Sequence, residues 1–134
     1  MKNTVFFGFM VFITFSFSCN NQQEGMKDNS REANFVHTVL FWLNDTVSEA
    51  EKLAFESGLE ILGTVPSIES LYYGKPAGTP REVVDNSYDF AFIVHFANAE
   101  AQDDYQKHEI HLEFVDKYQH LWKNVKVYDT VLEN

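Results

Sequence analysis

The chain has 134 residues, with ten Lys plus Arg against twenty Asp plus Glu and a formal charge of −10, one unit more negative once Lys2 is lost on processing. That length holds one small domain, and an aromatic content of 16%, with thirteen Phe, supplies the bulk for a real core. Without clustered cations a nucleic acid partner is excluded, and the acidic residues are scattered as a solvated surface rather than gathered into a docking face.

The N-terminus reads as an address. Lys2 precedes an apolar stretch, Val5 to Phe17, broken only by Gly8 and two small polar residues. About thirteen residues are too few to span a bilayer and suit a signal-peptide core. Ser16-Phe17-Ser18-Cys19 resembles a bacterial lipoprotein processing site, with Ser16 standing where the common pattern has a branched apolar residue. The resemblance implies removal of residues 1–18, lipidation of Cys19 and a lipid-anchored place in the bacterial cell envelope. Cys19 is the sole cysteine, so no internal disulfide can form. An uncleaved anchor or a cut elsewhere is the alternative. Residues 19–33 are polar and are expected to form a flexible tether to a domain at 34–134.

Beyond the tether the apolar periodicity switches between two and three-to-four. Phe35 to Leu43 reads as a strand with Phe35, His37, Val39, Phe41 and Leu43 on one face and Val36, Thr38, Leu40 and Trp42 on the other. Ser48-Glu49-Ala50-Glu51 matches a capping box, and Glu49 to Leu62 follows as a helix ended by Gly63 and Pro66. Its expected dry side is Ala54, Phe55, Gly58, Leu59, Ile61 and Leu62. Ile68 to Tyr73 is a second strand, Gly74 to Pro80 a loop, and Tyr88 to Phe96 a third strand that is apolar on both faces. Asn98 caps a second helical region, and Val125 to Leu132 is the last strand. The fold class is therefore α+β, a ferredoxin-like βαββαβ arrangement with a four-stranded antiparallel sheet.

Two helices cover one face of such a sheet, yet strands one and three carry large apolar side chains on both. A second copy packed face to face would cover the other face, giving a homodimeric α+β barrel. The competing cover is the long loop or the C-terminal helical segment. In the second helical region Ala101, Tyr105, His108, Leu112, Val115, Gln119 and Trp122 follow a four-three spacing, so on a continuous helix they share one buried seam. His108 on that seam is either a ligand contact or a hydrogen-bonded core histidine. His111 lies on the adjacent stripe with Phe114, Tyr118 and Leu121.

The chain resembles the stress-responsive dimeric A/B barrel family, Dabb, over roughly residues 35 to 130. The resemblance rests on Phe35-Val36-His37 with Leu40-Phe41, the Tyr73-Gly74-Lys75 turn, Tyr88-Asp89, the run Tyr105-Gln106-Lys107-His108-Glu109-Ile110-His111, and Tyr128-Asp129. In the family a proline commonly follows the first of these two histidines and breaks the helix, and here Glu109 stands in its place. Some plant members resemble polyketide cyclases that close a ring by an aldol-type step. Carried over by position, the resemblance makes His111 the base, Tyr105 its phenolic partner and His37 a further polar group. A second tyrosine that such cyclases use on the first helix has no counterpart, since Gly58 and Leu59 fall there.

His108 with Trp42, Phe90 and Phe92 are the candidate ligand-binding residues, although aromatic side chains of this kind serve equally as plain core. His108 and His111 could share a metal with His37, but such spacing arises often by chance, and no metal is expected. His95 is expected at a buried or interface position and His120 in solvent. There is no phosphate loop, no Gly-x-Ser-x-Gly elbow and no free Cys nucleophile, so no cofactor is expected and covalent and nucleotide chemistry are disfavoured. Two readings of function follow. The first is a lipid-anchored dimeric barrel that binds a small hydrophobic molecule without an assigned reaction. The second is an enzyme using His and Tyr as acid-base groups on a small hydrophobic carbonyl or phenolic substrate.

Overall fold

A computed structural model of the chain describes residues 33–133. The signal segment, Cys19 and all of the tether but Ala33 lie outside the described residues. The elements are β1 (Phe35–Leu43), α1 (Glu49–Leu62), β2 (Ile68–Gly74), β3 (Phe90–Phe96), α2 (Ala99–Lys107), α3 (Glu109–Tyr118), a 3-10 turn (Gln119–Leu121) and β4 (Trp122–Val131). The strands form one antiparallel sheet in the order β2-β3-β1-β4, the ferredoxin-like arrangement expected from the order of elements. Among the described residues no helix is long and apolar enough to cross a membrane.

Alternation along β1 and β3 decides what the helices cover. Phe35, His37, Val39, Phe41 and Leu43 are buried, as are Phe90, Phe92, Val94 and Phe96, and they meet Phe55, Leu59 and Leu62 of α1 and Tyr105, Phe114 and Tyr118 of the later helices. Val36, Thr38, Leu40 and Trp42, with Ala91, Ile93 and His95, point the other way and are only half-buried. The long loop reaches this second face at one end, where the Trp42 indole N–H donates to Ser87 Oγ at 3.0 Å and Tyr88 packs edge-on to the ring. The rest of the face has no cover among the described residues.

The capping box that opens α1 forms in full, with Ser48 Oγ accepting from the Glu51 N–H and the Glu51 carboxylate accepting from the Ser48 N–H. The buried stripe of α1 is narrower than its apolar content, because Ala54 and Ile61 face solvent and only Phe55, Gly58, Leu59 and Leu62 are buried. Gly58 is needed where α1 approaches α3, since a Cβ there would stand 2.5 Å from Cε2 of Tyr118.

Three departures from the sequence expectation bear on the site. β3 begins at Phe90 rather than Tyr88, because Asp89 is spent anchoring the strand ends, its N–H donating to the Phe41 carbonyl and its carboxylate accepting from the Leu43 N–H. β4 begins at Trp122 rather than Val125, because Leu43 pairs with Trp122 across a register shift in β1. The continuous seam from Ala101 to Trp122 does not exist. The helix breaks at His108, which has φ −68° and ψ 140°, and Leu112 and Gln119 are exposed.

Candidate functional site

A cavity of about 230 Å³ lies between the sheet and the helices, and β1, β3, β4, α1, α2 and α3 all contribute to its wall. Most of the wall is apolar, formed by Val39, Phe41, Leu62, Phe92, Phe114, Val115, Trp122, Val125 and Val127. The polar side chains on it are His37, Tyr105, Gln106 and His111. A largely apolar recess with a few convergent polar groups is the usual form of a small-molecule site.

Three of the sequence-derived site residues converge here. His37 comes from the helix-facing side of β1, Tyr105 from the last turn of α2 and His111 from the first turn of α3. The Tyr105 ring centroid is 4.6 Å from that of His111 and 6.0 Å from that of His37, so the phenol ring packs against both imidazoles. Phe92 joins them on the wall.

The tautomers of both histidines follow from their partners. His111 Nδ1 lies 3.0 Å from the Gln106 carbonyl, which only accepts, so Nδ1 carries the hydrogen and the neutral ring has its lone pair on Nε2. His37 Nδ1 lies 2.6 Å from Asp129 Oδ1 and donates to that carboxylate in the same way. The pairing is built by strand register, which sets His37 opposite Asp129 across β1 and β4. Asp129 is the polar residue that sequence reasoning noted in the last strand without assigning it to the site. The signal was an acid among the alternating valines of β4, but its partner depends on register.

Burial sets the protonation states. Desolvation holds the His111 imidazole below its ordinary value, with the nearby His37 adding to the effect and the Gln106 carbonyl opposing it. Burial alone pushes the Tyr105 phenol well above its usual value, so it remains a donor at any physiological pH. The site thus holds a neutral imidazole with an available lone pair beside a phenol that keeps its proton.

The other sequence-derived candidates sit elsewhere. His108 is absent from the cavity wall and caps α3, its Nδ1 accepting from the Ile110 N–H at 3.2 Å. Phe90 is buried against Phe55, with the Lys75 ammonium 5.2 Å from its ring centroid. Trp42 is on the opposite face of the sheet, where Lys126 lies 5.5 Å from its ring centroid. Gly58 leaves room for Tyr118, whose hydroxyl donates to the Ala54 carbonyl at 2.7 Å. Among the described residues no group of three or more His, Cys, Asp or Glu side chains is placed to hold a metal ion.

Fold and cavity together define a ferredoxin-like α+β domain with a histidine-lined recess under its helices. The model of the stress responsive A/B barrel domain family matches residues 35–132, and the chain belongs to that family. It is similar to olivetolic acid cyclase of Cannabis sativa, 24% identical over 94 residues that make up 69% of this chain and 91% of the cyclase. Among solved structures it is similar to a dimeric ferredoxin-like protein of unknown function from Thermobifida fusca, with a TM-score of 0.64, 21% identity and coverage of 75% of this chain and 92% of that one. The hydroxynitrile lyase of Passiflora edulis shares the fold with a TM-score of 0.67 at 14% identity, covering 76% of this chain and 95% of the lyase.

Proposed function

We propose that this protein binds a small, largely apolar carbonyl or phenolic compound in the sheet–helix cavity and acts on it by acid-base chemistry. The observation that carries this is the packing of Tyr105 against both His111 and His37 on one apolar cavity wall, with the His111 lone pair fixed on Nε2. His111 takes a proton from the substrate, and the electron pair left behind moves onto the substrate oxygen. Tyr105 donates a hydrogen bond to that oxygen as its negative charge develops. The imidazolium formed on His111 then returns the proton to the product, so the protein ends as it began. Asp129 holds the His37 ring in one orientation with its Nε2 lone pair free, which makes His37 a second polar group to which a substrate hydroxyl can donate. The similarity to a cyclase and to a lyase fits a cavity used for proton transfer.

Binding without turnover is the second reading, favoured by the absence of a tyrosine at the Gly58 and Leu59 positions of α1. The two separate on a panel of small hydroxynitriles and 1,3-dicarbonyl compounds. Proton-transfer chemistry requires at least one to be turned over by wild type and not by His111→Ala. Compounds that bind and are never converted would sink the enzymatic reading and leave the binding barrel.

The half-buried outer face of the sheet supports a homodimer in which a second copy covers it, and the dimeric Thermobifida fusca neighbour fits that assembly. The N-terminal sequence supports a lipid anchor at Cys19 that places the protein in the bacterial cell envelope. Replacing Cys19 with Ser is expected to move the protein from the membrane to the soluble fraction of a fractionated cell. An unchanged membrane fraction would refute the anchor.

A further inference from the structure

Where α2 gives way to α3, several backbone groups lose their helical partners, and the two groups of one lost bond are each taken up by a histidine ring. In an uninterrupted helix the Ile110 N–H would donate to the Gln106 carbonyl four residues back. Here the extended backbone at His108 leaves that turn open. The Ile110 N–H donates instead to His108 Nδ1 at 3.2 Å, and the Gln106 carbonyl accepts from His111 Nδ1 at 3.0 Å. We propose that His108 is a positioning residue for His111: by taking the Ile110 N–H it leaves the Gln106 carbonyl free to hold the His111 ring, lone pair on Nε2, at the cavity wall.

The competing state is written into the same sequence. Ala101, Tyr105, His108, Leu112 and Val115 have the spacing of one continuous helix, and the residue after His108 is Glu109, which has a backbone N–H and leaves its predecessor free to be helical. A proline there would forbid closure by its ring and its missing N–H. In this chain the break depends on a side-chain cap. Without the His108 acceptor, the partly buried Ile110 N–H and Gln106 carbonyl satisfy each other most simply by pairing, because a backbone group shielded from water and left alone is costly. Closing that turn also puts His111 five residues on from Gln106 along one helix, off the stripe that holds Gln106, so its ring leaves that carbonyl and is free to carry hydrogen on Nε2 instead.

The role rests on the reading of His111 as base only for its consequence in turnover, since the ring itself can be observed. The measurement is the pair of imidazole nitrogen-15 resonances of His111 in the full chain, above the titration range of histidine. Wild type is expected to show the Nδ1–H form. His108→Ala is expected to shift His111 to the Nε2–H form or a mixture. His108→Asn supplies another side-chain acceptor at the same cap and is expected to keep the Nδ1–H form. His108→Ala with Glu109→Pro is expected to recover it, because proline suits the first helical position and drives the preceding residue out of helix. Retention of the Nδ1–H form in His108→Ala overturns the proposal, and so does failure of the proline to restore it. If His108→Ala does not fold, the double variant decides alone, with the Nε2–H form overturning the role. A His108→Ala protein that loses the tautomer yet keeps its turnover supports the positioning and refutes His111 as the base.

Discussion

Burial depresses the His111 imidazole below its ordinary value of 6.5, and the direction of that shift has two consequences. As pH falls below 6.5 the unfolded chain takes up a proton that the native site refuses, so stability contributed by a neutral His111 is present above 6.5 and lost as pH falls through the depressed folded value. The melting temperature of wild type should therefore drop more steeply on acidification than that of His111→Gln, and equal slopes would contradict the depressed value. The free base also persists into mildly acidic solution, so the acid limb of any pH–rate profile should lie below the ordinary histidine range. At the same scale, Tyr105→Phe deletes the donor while keeping the ring that packs on Phe96 and His111. Turnover should fall by about 10²- to 10³-fold with an unchanged melting curve. A loss of stability without a loss of rate would reassign Tyr105 to packing.

At the level of elements, the contact between α1 and α3 depends on a residue with no side chain. A Cβ at position 58 would meet Tyr118 at 2.5 Å and Phe114 at 3.1 Å, and both rings are buried. Tyr118 is held further by its hydrogen bond to the Ala54 carbonyl. Gly58→Ala is expected to destabilise the fold by about 1–3 kcal/mol despite the better helix propensity of alanine, as overpacking does elsewhere. Urea unfolding would show it, and a stabilised variant would mean the helices can separate cheaply. The helix break argues similarly for local chemistry over spacing. The four-three pattern from Ala101 to Trp122 favoured one seam, but Leu112 is on the exposed side of α3 because the chain re-enters helix at Glu109 with a new phase. The alternation of β1 was legible, and it put His37 on one face with Phe35, Val39, Phe41 and Leu43, which is the face the helices cover. It also placed Trp42 on the other side, which is why Trp42 and the cavity are separated by the sheet.

For the whole molecule the unresolved demand is the outer face of the sheet. Leu40, Ile93 and Val36 occupy its middle strands, half-buried, while Tyr72 and Tyr128 flank them exposed on the edge strands. The loop covers the Trp42 end alone. A second copy packed there removes this surface from water at a gain of roughly 25 cal/mol for each Å² of apolar area. Ile93→Glu, at the centre of the face and away from the cavity, should convert a dimer into a folded monomer by sedimentation. A wild-type monomer at micromolar concentration would instead leave the outer face without the cover proposed for it.

What the amino-acid sequence determined by itself is what depends on neighbours along the chain. Capping residues, turn residues and apolar periodicity gave the type and order of the elements, and strict alternation assigned His37, Phe92 and Trp42 to their faces. Tertiary structure decided whatever depends on pairing between distant segments. Strand register brought Asp129 to His37, and helix-to-sheet packing set Tyr105 against both histidines. The break at His108 belongs to this second kind, because a helical pattern describes the spacing of side chains and does not say which backbone acceptors they will take.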